Sequence, residues 1–222
     1  MTYYTNLVPS WVYEVIKNFD TNFTLQSTIE RVLNDPNYLE EVAHKSFTHI
    51  NGFNKIVLHS SDKPFGEIRL HNWLFGHVDG DIHNHAWDLC SFVISGSIVN
   101  ETFKISEGKS FQRFTIGPVG GEEGYNLIKD GKVNLATKSI SVVNENSFYT
   151  LSHDIVHQSK SLNGAVTLMV QSPFIRETSM VFRAQEQTKK SIEPMNKLEI
   201  LRICETVLNA KPNIYLGTND AC

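Results

Sequence analysis

Between Gly52 and Arg183 the chain is cut into short apolar segments by closely spaced turn residues, and this punctuation restricts the fold more than any other feature. The segments are Phe53–His59, Phe65–Phe75, Leu89–Ser95, Ser97–Phe103, Phe111–Ile116, Val133–Val143, Ser147–Leu151 and Ala165–Val170. Gly80, Asp130-Gly131, Asn144 and Asn163-Gly164 punctuate them. Many short strands at this spacing predict an all-β core, a barrel or sandwich of the jelly-roll type. The flanks read differently. Trp11, Val12, Val15 and Ile16 recur at helical spacing, then Leu25, Ile29, Val32 and Leu33, then Leu39, Val42 and Ala43 after Asp35-Pro36. A last helix is expected from about Pro194, through Leu198, Leu201, Cys204 and Val207. The chain reads as one domain of 222 residues: a helical segment over 1–51, a β-barrel core over 52–183 and a C-terminal helical segment over 184–222.

With 41% hydrophobic and 20% charged residues, such a chain can bury a core without disulfides. The three cysteines, Cys90, Cys204 and Cys222, form no C-x-x-C pair and fit reduced thiols in a cytoplasmic protein. A net charge of −4 argues against a nucleic-acid partner. No apolar run approaches a membrane span, and the N-terminus lacks the pattern of a signal peptide.

The chemistry-bearing segment is Gly80-Asp-Ile-His83-Asn-His85-Ala-Trp87-Asp88. In a strand, residues two apart point to one face, so His83 and His85 lie ~6.6 Å apart along the backbone with rings able to converge on one ion. Further on, Phe148-Tyr149-Thr-Leu-Ser-His153-Asp-Ile-Val-His157 offers a third imidazole from a paired strand. Three neutral imidazoles leave coordination positions open, as a catalytic metal requires. Gly96, eleven residues beyond His85, marks a place where a barrel strand must turn.

These residues resemble the cupin superfamily: a glycine, H-x-H, a second glycine about a dozen residues on, and a single histidine downstream. Within it the chain is most similar to the cysteine dioxygenase type of thiol dioxygenase. Ile82-His83-Asn84-His85 with Cys90 follows that family's I-H-D-H-x4-C pattern. Tyr149, eight residues before His157, matches its second motif; Ala165-Val166-Thr167-Leu168 and Ser172-Pro173 match the strand that closes its site. The resemblance spans residues 52–175 and implies a mononuclear non-haem Fe(II) held by His83, His85 and His157. The family's catalytic tyrosine before Ser-Pro is absent, Gln171 standing there, and Met169 stands where the family has a histidine. Common cupins carry a glutamate ligand after H-x-H; the nearest carboxylate here is Asp88.

On the strand before the metal motif, Glu67, Arg69, His71 and Trp73 share a face, with Phe75 beyond them. If that face lines the barrel, Arg69 clamps a substrate carboxylate through its planar fork and His71 bonds substrate or moves a proton. Lys55, which shares a face with His59, is the cation nearest the place where the related dioxygenases carry a carboxylate-binding arginine. Tyr149 is expected to position substrate, Cys90 to border the cavity, and Gln171 to hydrogen-bond in place of the missing tyrosine. His44, His49 and His77 read as incidental. The expected function is a mononuclear non-haem Fe(II)-dependent oxygenase taking O2 and a small, carboxylate-bearing molecule. The alternatives are a non-redox metal-dependent isomerase or lyase, and a non-catalytic ligand-binding cupin. A homodimer sharing edge strands is compatible with the pattern.

Overall fold

The computed structural model describes residues 8–19, 23–49, 51–60, 66–74, 80–117, 127–184 and 192–210. Phe75, His77 and Cys222 lie outside the described residues. Three helices come first: α1 (Ser10–Phe19), α2 (Leu25–Asn34) and α3 (Pro36–Lys45). Thr24 caps α2, its hydroxyl accepting from the Ser27 N–H at 3.0 Å. Asp35 ends α2 and caps α3, accepting from the Asn37 and Tyr38 N–H groups, with Pro36 at the first helical position. The fourth helix, α4 (Lys197–Asn209), is capped by Asn196. None of the described helices is long and apolar enough to cross a membrane.

The strands are β1 (Phe47–Thr48), β2 (Phe53–Ser60), β3 (Glu67–Trp73), β4 (Ile82–His83), β5 (Leu89–Ile116), β6 (Leu127–Asn144), β7 (Phe148–Leu151), β8 (Val156–Gln171), β9 (Ser179–Arg183) and β10 (Glu193–Pro194). All pairings are antiparallel, and the sheet runs β10-β1-β2-β3-β8-β4-β9-β5-β6, with β7 on β5. It closes on itself, because β5 pairs with β8, β8 with β4, β4 with β9 and β9 with β5. The expected all-β barrel core with helices before and after it is the fold the chain adopts.

Period-2 alternation gives the sheet two different faces. On one, Ile56, Leu58, Ile68, Leu70, Cys90, Phe92, Leu168 and Val170 form a single apolar core with Val12, Val15, Ile29, Val32 and Val42 of the first three helices and Ile200 and Val207 of α4. Complete burial of each large aliphatic side chain here contributes roughly 1.5–3 kcal/mol. The other face of β2 and β3 looks into the barrel.

The segments expected as three strands between Leu89 and Ile116 are one 28-residue strand. Its register against β8 shifts at Val93/Ser95 and again at Gly96/Ile98. These bulges bend the strand around the barrel corner without breaking the ladder. Residues 89–96 therefore run beside 171–165 of β8, 98–103 beside 161–156, and 112–116 beside β9. Gly96 makes the corner possible: its φ is +75°, and a Cβ there would sit 2.1 Å from the Gly164 carbonyl oxygen. Gly96→Val is expected to destabilise the fold by at least about 1–3 kcal/mol, read as a lowered urea midpoint by circular dichroism.

Candidate metal centre and its cavity

Strand register brings His83 and His157 together. On β4, His83 pairs with His157 of β8, which faces Thr102 of β5 on its other side. β4 ends at His83, so His85 lies just past the strand and takes its orientation from other contacts. Its ring stacks on Trp87 with centroids 4.0 Å apart. Its carbonyl accepts from Arg176 Nε and Nη2 at 3.1 and 2.6 Å, and Arg176 Nη2 also reaches the His153 carbonyl.

The three rings form a compact trio with centroids 4.7–5.1 Å apart. One ligand atom from each lies within 4.8 Å of the others, the arrangement a metal ion needs. His85 Nε2 and His157 Nε2 are 3.0 Å apart. Two nitrogens bound at right angles to one ion at ~2.1 Å would be separated by about 3.0 Å, so this pair fits an edge of a coordination shell. Burial, then the neighbouring imidazoles, hold the His85 and His157 pKa values well below the usual histidine range. Both rings are thereby kept neutral with a lone pair available to a cation.

The surroundings select which nitrogen faces inward. His83 Nδ1 donates to the Asp81 carbonyl at 2.9 Å, and His157 Nδ1 donates to Asn100 Oδ1 at 3.1 Å. Both acceptors are oxygens without a proton, so each ring carries its proton on Nδ1 and presents Nε2 to the trio. The Asp81 carboxylate is itself clamped by Arg183, whose Nε and Nη2 each donate at 2.7 Å. Ser159 joins the Asn100 oxygen at 3.4 Å. Neither Asn100 nor Arg183 is recognisable in the sequence, because each reaches the site only through strand pairing.

The trio borders a cavity of about 830 Å³. Glu67, Arg69, His71 and Trp73 all line it, as the alternation on β3 predicts, together with Lys55, Tyr149 and Gln171. Arg69 is buried. Its Nε donates to His71 Nε2 at 3.0 Å, one Nη1 bond goes to Gln171 Oε1 at 3.0 Å, and another goes to Glu67. The guanidinium lies 5.0 Å from the Trp87 ring centre. Lys55 Nζ is 3.0 Å from Glu67 Oε1. Burial, reinforced by Arg69, lowers the Lys55 pKa to about 8; burial opposes ionisation of Glu67, but the two cations win and its pKa is lowered. Trp73 Nε1 is buried with no hydrogen-bond partner among the described residues, a donor on a residue of the cavity wall.

Glu67 was visible on the predicted face but not recognised as the counter-charge of both Lys55 and Arg69. His49, read as incidental, also lines the cavity, stacked on Phe53 at 4.7 Å, and burial takes its pKa down to about 3.

Two expectations are corrected. Cys90 does not border the cavity: alternation on β5 sends Leu89 inward and Cys90 into the helix-packed core, where burial pushes its thiol up to about 12. His59 does not share a face with Lys55, because a bulge between Val57 and His59 turns it toward Phe19, Phe23 and Tyr38. Asp88 and His153 lie outside the trio. Asp88 Oδ1 accepts from the His153 backbone N–H at 2.7 Å and contacts its ring at 2.9 Å, tying the loop that carries His85 to the turn that leads into the strand of His157.

No protein-family model and no curated protein matches the chain. Among solved structures it is similar to an RmlC-like cupin from Shewanella frigidimarina NCIMB 400, at 11% identity over 58% of this chain and 84% of that one, TM-score 0.36. A cupin superfamily protein from Desulfitobacterium hafniense DCB-2 matches at 11% identity over 60% and 87%, TM-score 0.35. Hydroquinone 1,2-dioxygenase, in complex with Cd2+ and 4-hydroxybenzonitrile, matches at 14% identity over 55% and 64%, TM-score 0.35. At these levels the likeness carries neither family nor activity to this chain.

Asn100→Ala is expected to weaken divalent-metal binding about 10–100-fold, measured by competition with a chromophoric chelator, while leaving the circular dichroism spectrum unchanged.

Proposed function

We propose that this protein is a cupin-type mononuclear non-haem Fe(II) oxygenase acting on a carboxylate-bearing molecule. The observation that carries the reading is the convergence of His83, His85 and His157 at the wall of a cavity whose described cations, Lys55, Arg69, Arg176 and Arg183, outnumber its carboxylates, Glu67, Asp81 and Glu177. Imidazole suits several metals, so the donor set alone does not select iron. The sequence resemblance of Ile82-His83-Asn84-His85 to thiol dioxygenases is what favours it. Iron so held supplies the electrons and open positions that dioxygen chemistry requires.

The remaining work falls to the chain's own side chains. Arg69, fixed by Gln171, Glu67 and His71, offers a pre-oriented cation to a substrate carboxylate. Burial and the adjoining cations Arg69 and Lys55 keep His71 neutral, its pKa well below the usual range; its Nε2 accepts from Arg69, so the proton sits on Nδ1 and the ring steadies the guanidinium that meets the anion. Tyr149 on β7 presents a phenol to the same cavity. With Met169 and Gln171 at the positions of the thiol dioxygenases' histidine and tyrosine, the proposed substrate is not cysteine.

Anaerobic loading with Fe(II), metal analysis and oxygen-electrode measurements with candidate acids test the proposal. The expected result is one iron per chain and acid-dependent oxygen consumption, both abolished by His157→Ala. Stoichiometric metal without oxygen consumption would replace it with the Lewis-acid reading, an isomerase or lyase. Absence of metal binding would leave only ligand binding. The Lys55 pKa adds a pH dependence. Below about 8 the cluster of Lys55, Glu67 and Arg69 keeps a net positive charge, and above it that charge is lost. Carboxylate affinity is expected to fall as pH rises through about 8 in calorimetric titrations, and Lys55→Met to flatten that fall.

A further inference from the structure

The cavity is built for a larger and less polar ligand than a small amino acid. Lys55 and Arg69 share the carboxylate of Glu67, and the other charged residues of the lining, Asp81, Glu177, Arg176 and Arg183, add no net charge. Arg69 Nε is taken by His71, and Nη1 by Gln171 and Glu67, whereas Nη2 has no hydrogen-bond partner among the described residues. In the metal-free protein, one excess positive charge and one open guanidinium nitrogen match a monoanion. A dianion such as a phosphate monoester would leave buried charge uncompensated.

From Gln171 the chain runs outward through Ser172 and Pro173 to Phe174 and Ile175, which line the same cavity yet are 54% and 50% exposed. This rim is fixed. Ser172 N–H donates to the Asp88 carbonyl at 2.9 Å, the Asp88 N–H donates to Ser172 Oγ at 2.9 Å, and the Ile175 N–H donates to the Ala86 carbonyl at 2.8 Å. Two large apolar side chains held in place at a cavity mouth, without burial of their own, mark a surface that a ligand covers. Between rim and cation lie the apolar walls of Trp87, Leu89 and Met169. Two residues separate Gln171 from Phe174, three chain steps with a reach of roughly 10 Å at most.

We propose that the ligand is an amphipathic monocarboxylate, its head group on Arg69 and its apolar body running past Trp87 and Met169 to Phe174 and Ile175. The span corresponds to about six to ten carbon atoms, set by the same ~10 Å chain reach. This rests on taking the cavity as the substrate site, and it specifies the substrate class left open above.

Calorimetric titration with acetate, butyrate, hexanoate and octanoate tests it, with octanol and octyl phosphate as controls, on metal-loaded and metal-free protein of measured metal content. Affinity is expected to rise about fourfold per methylene from butyrate to octanoate. Octanoate is expected to bind at least tenfold more tightly than octanol or octyl phosphate. Arg69→Met removes the preference over octanol. Phe174→Ser, an exposed change that leaves the core untouched, lowers the octanoate-to-butyrate affinity ratio several-fold. Equal binding of butyrate and octanoate, or of octanol and octanoate, overturns the proposal. Chain-length-dependent binding without oxygen consumption overturns the oxygenase reading and leaves this one standing; acid-dependent oxygen consumption without chain-length dependence does the reverse.

Discussion

Holding three imidazole lone pairs against one another at a cavity wall is the constraint on which the site depends. Such an arrangement is repulsive until a cation shares it, so it persists only if each ring is fixed from behind. Here each ring is held by a different device: the Asp81 carbonyl behind His83, the indole of Trp87 beneath His85, and the Asn100 carboxamide behind His157. Two of those supports are themselves secured, Asp81 by Arg183 and Asn100 by Ser159. The rigidity extends past the ligands, which is how a metal site acquires geometry rather than mere composition.

The second organising element is β3, whose alternation divides labour between its faces. Ile68 and Leu70 anchor the strand in the core beneath the helices. Glu67, Arg69, His71 and Trp73 spend that anchorage on the cavity. Arg69 then links the two halves of the site, lying against the same indole that stacks on His85. The proposed carboxylate anchor and the histidine trio thus share one aromatic wall.

Much of this was legible in the sequence. Periodicity located all four helices, because caps such as Thr24, Asp35 and Asn196 sit immediately before amphipathic runs. The H-x-H motif and its resemblance identified the trio, and strand alternation placed Arg69, His71 and Trp73 on one face. What failed did so for local reasons. Bulges add a residue to a strand and reverse the face of everything after them, so His59 could not be placed from Lys55. Glycines inside a bent strand look like turns, so β5 was divided. Asn100 and Arg183 carry no sequence signal, since their roles depend on pairing across 57 and 102 positions of chain.

The uninterrupted length of β5 has a thermodynamic consequence. The same strand contributes Cys90 and Phe92 to the interior beneath the helices and Asn100 to the backing of His157. A cation bound at the histidines would bind the folded chain and not the unfolded one, so it would stabilise the helices along with the barrel wherever the two unfold together.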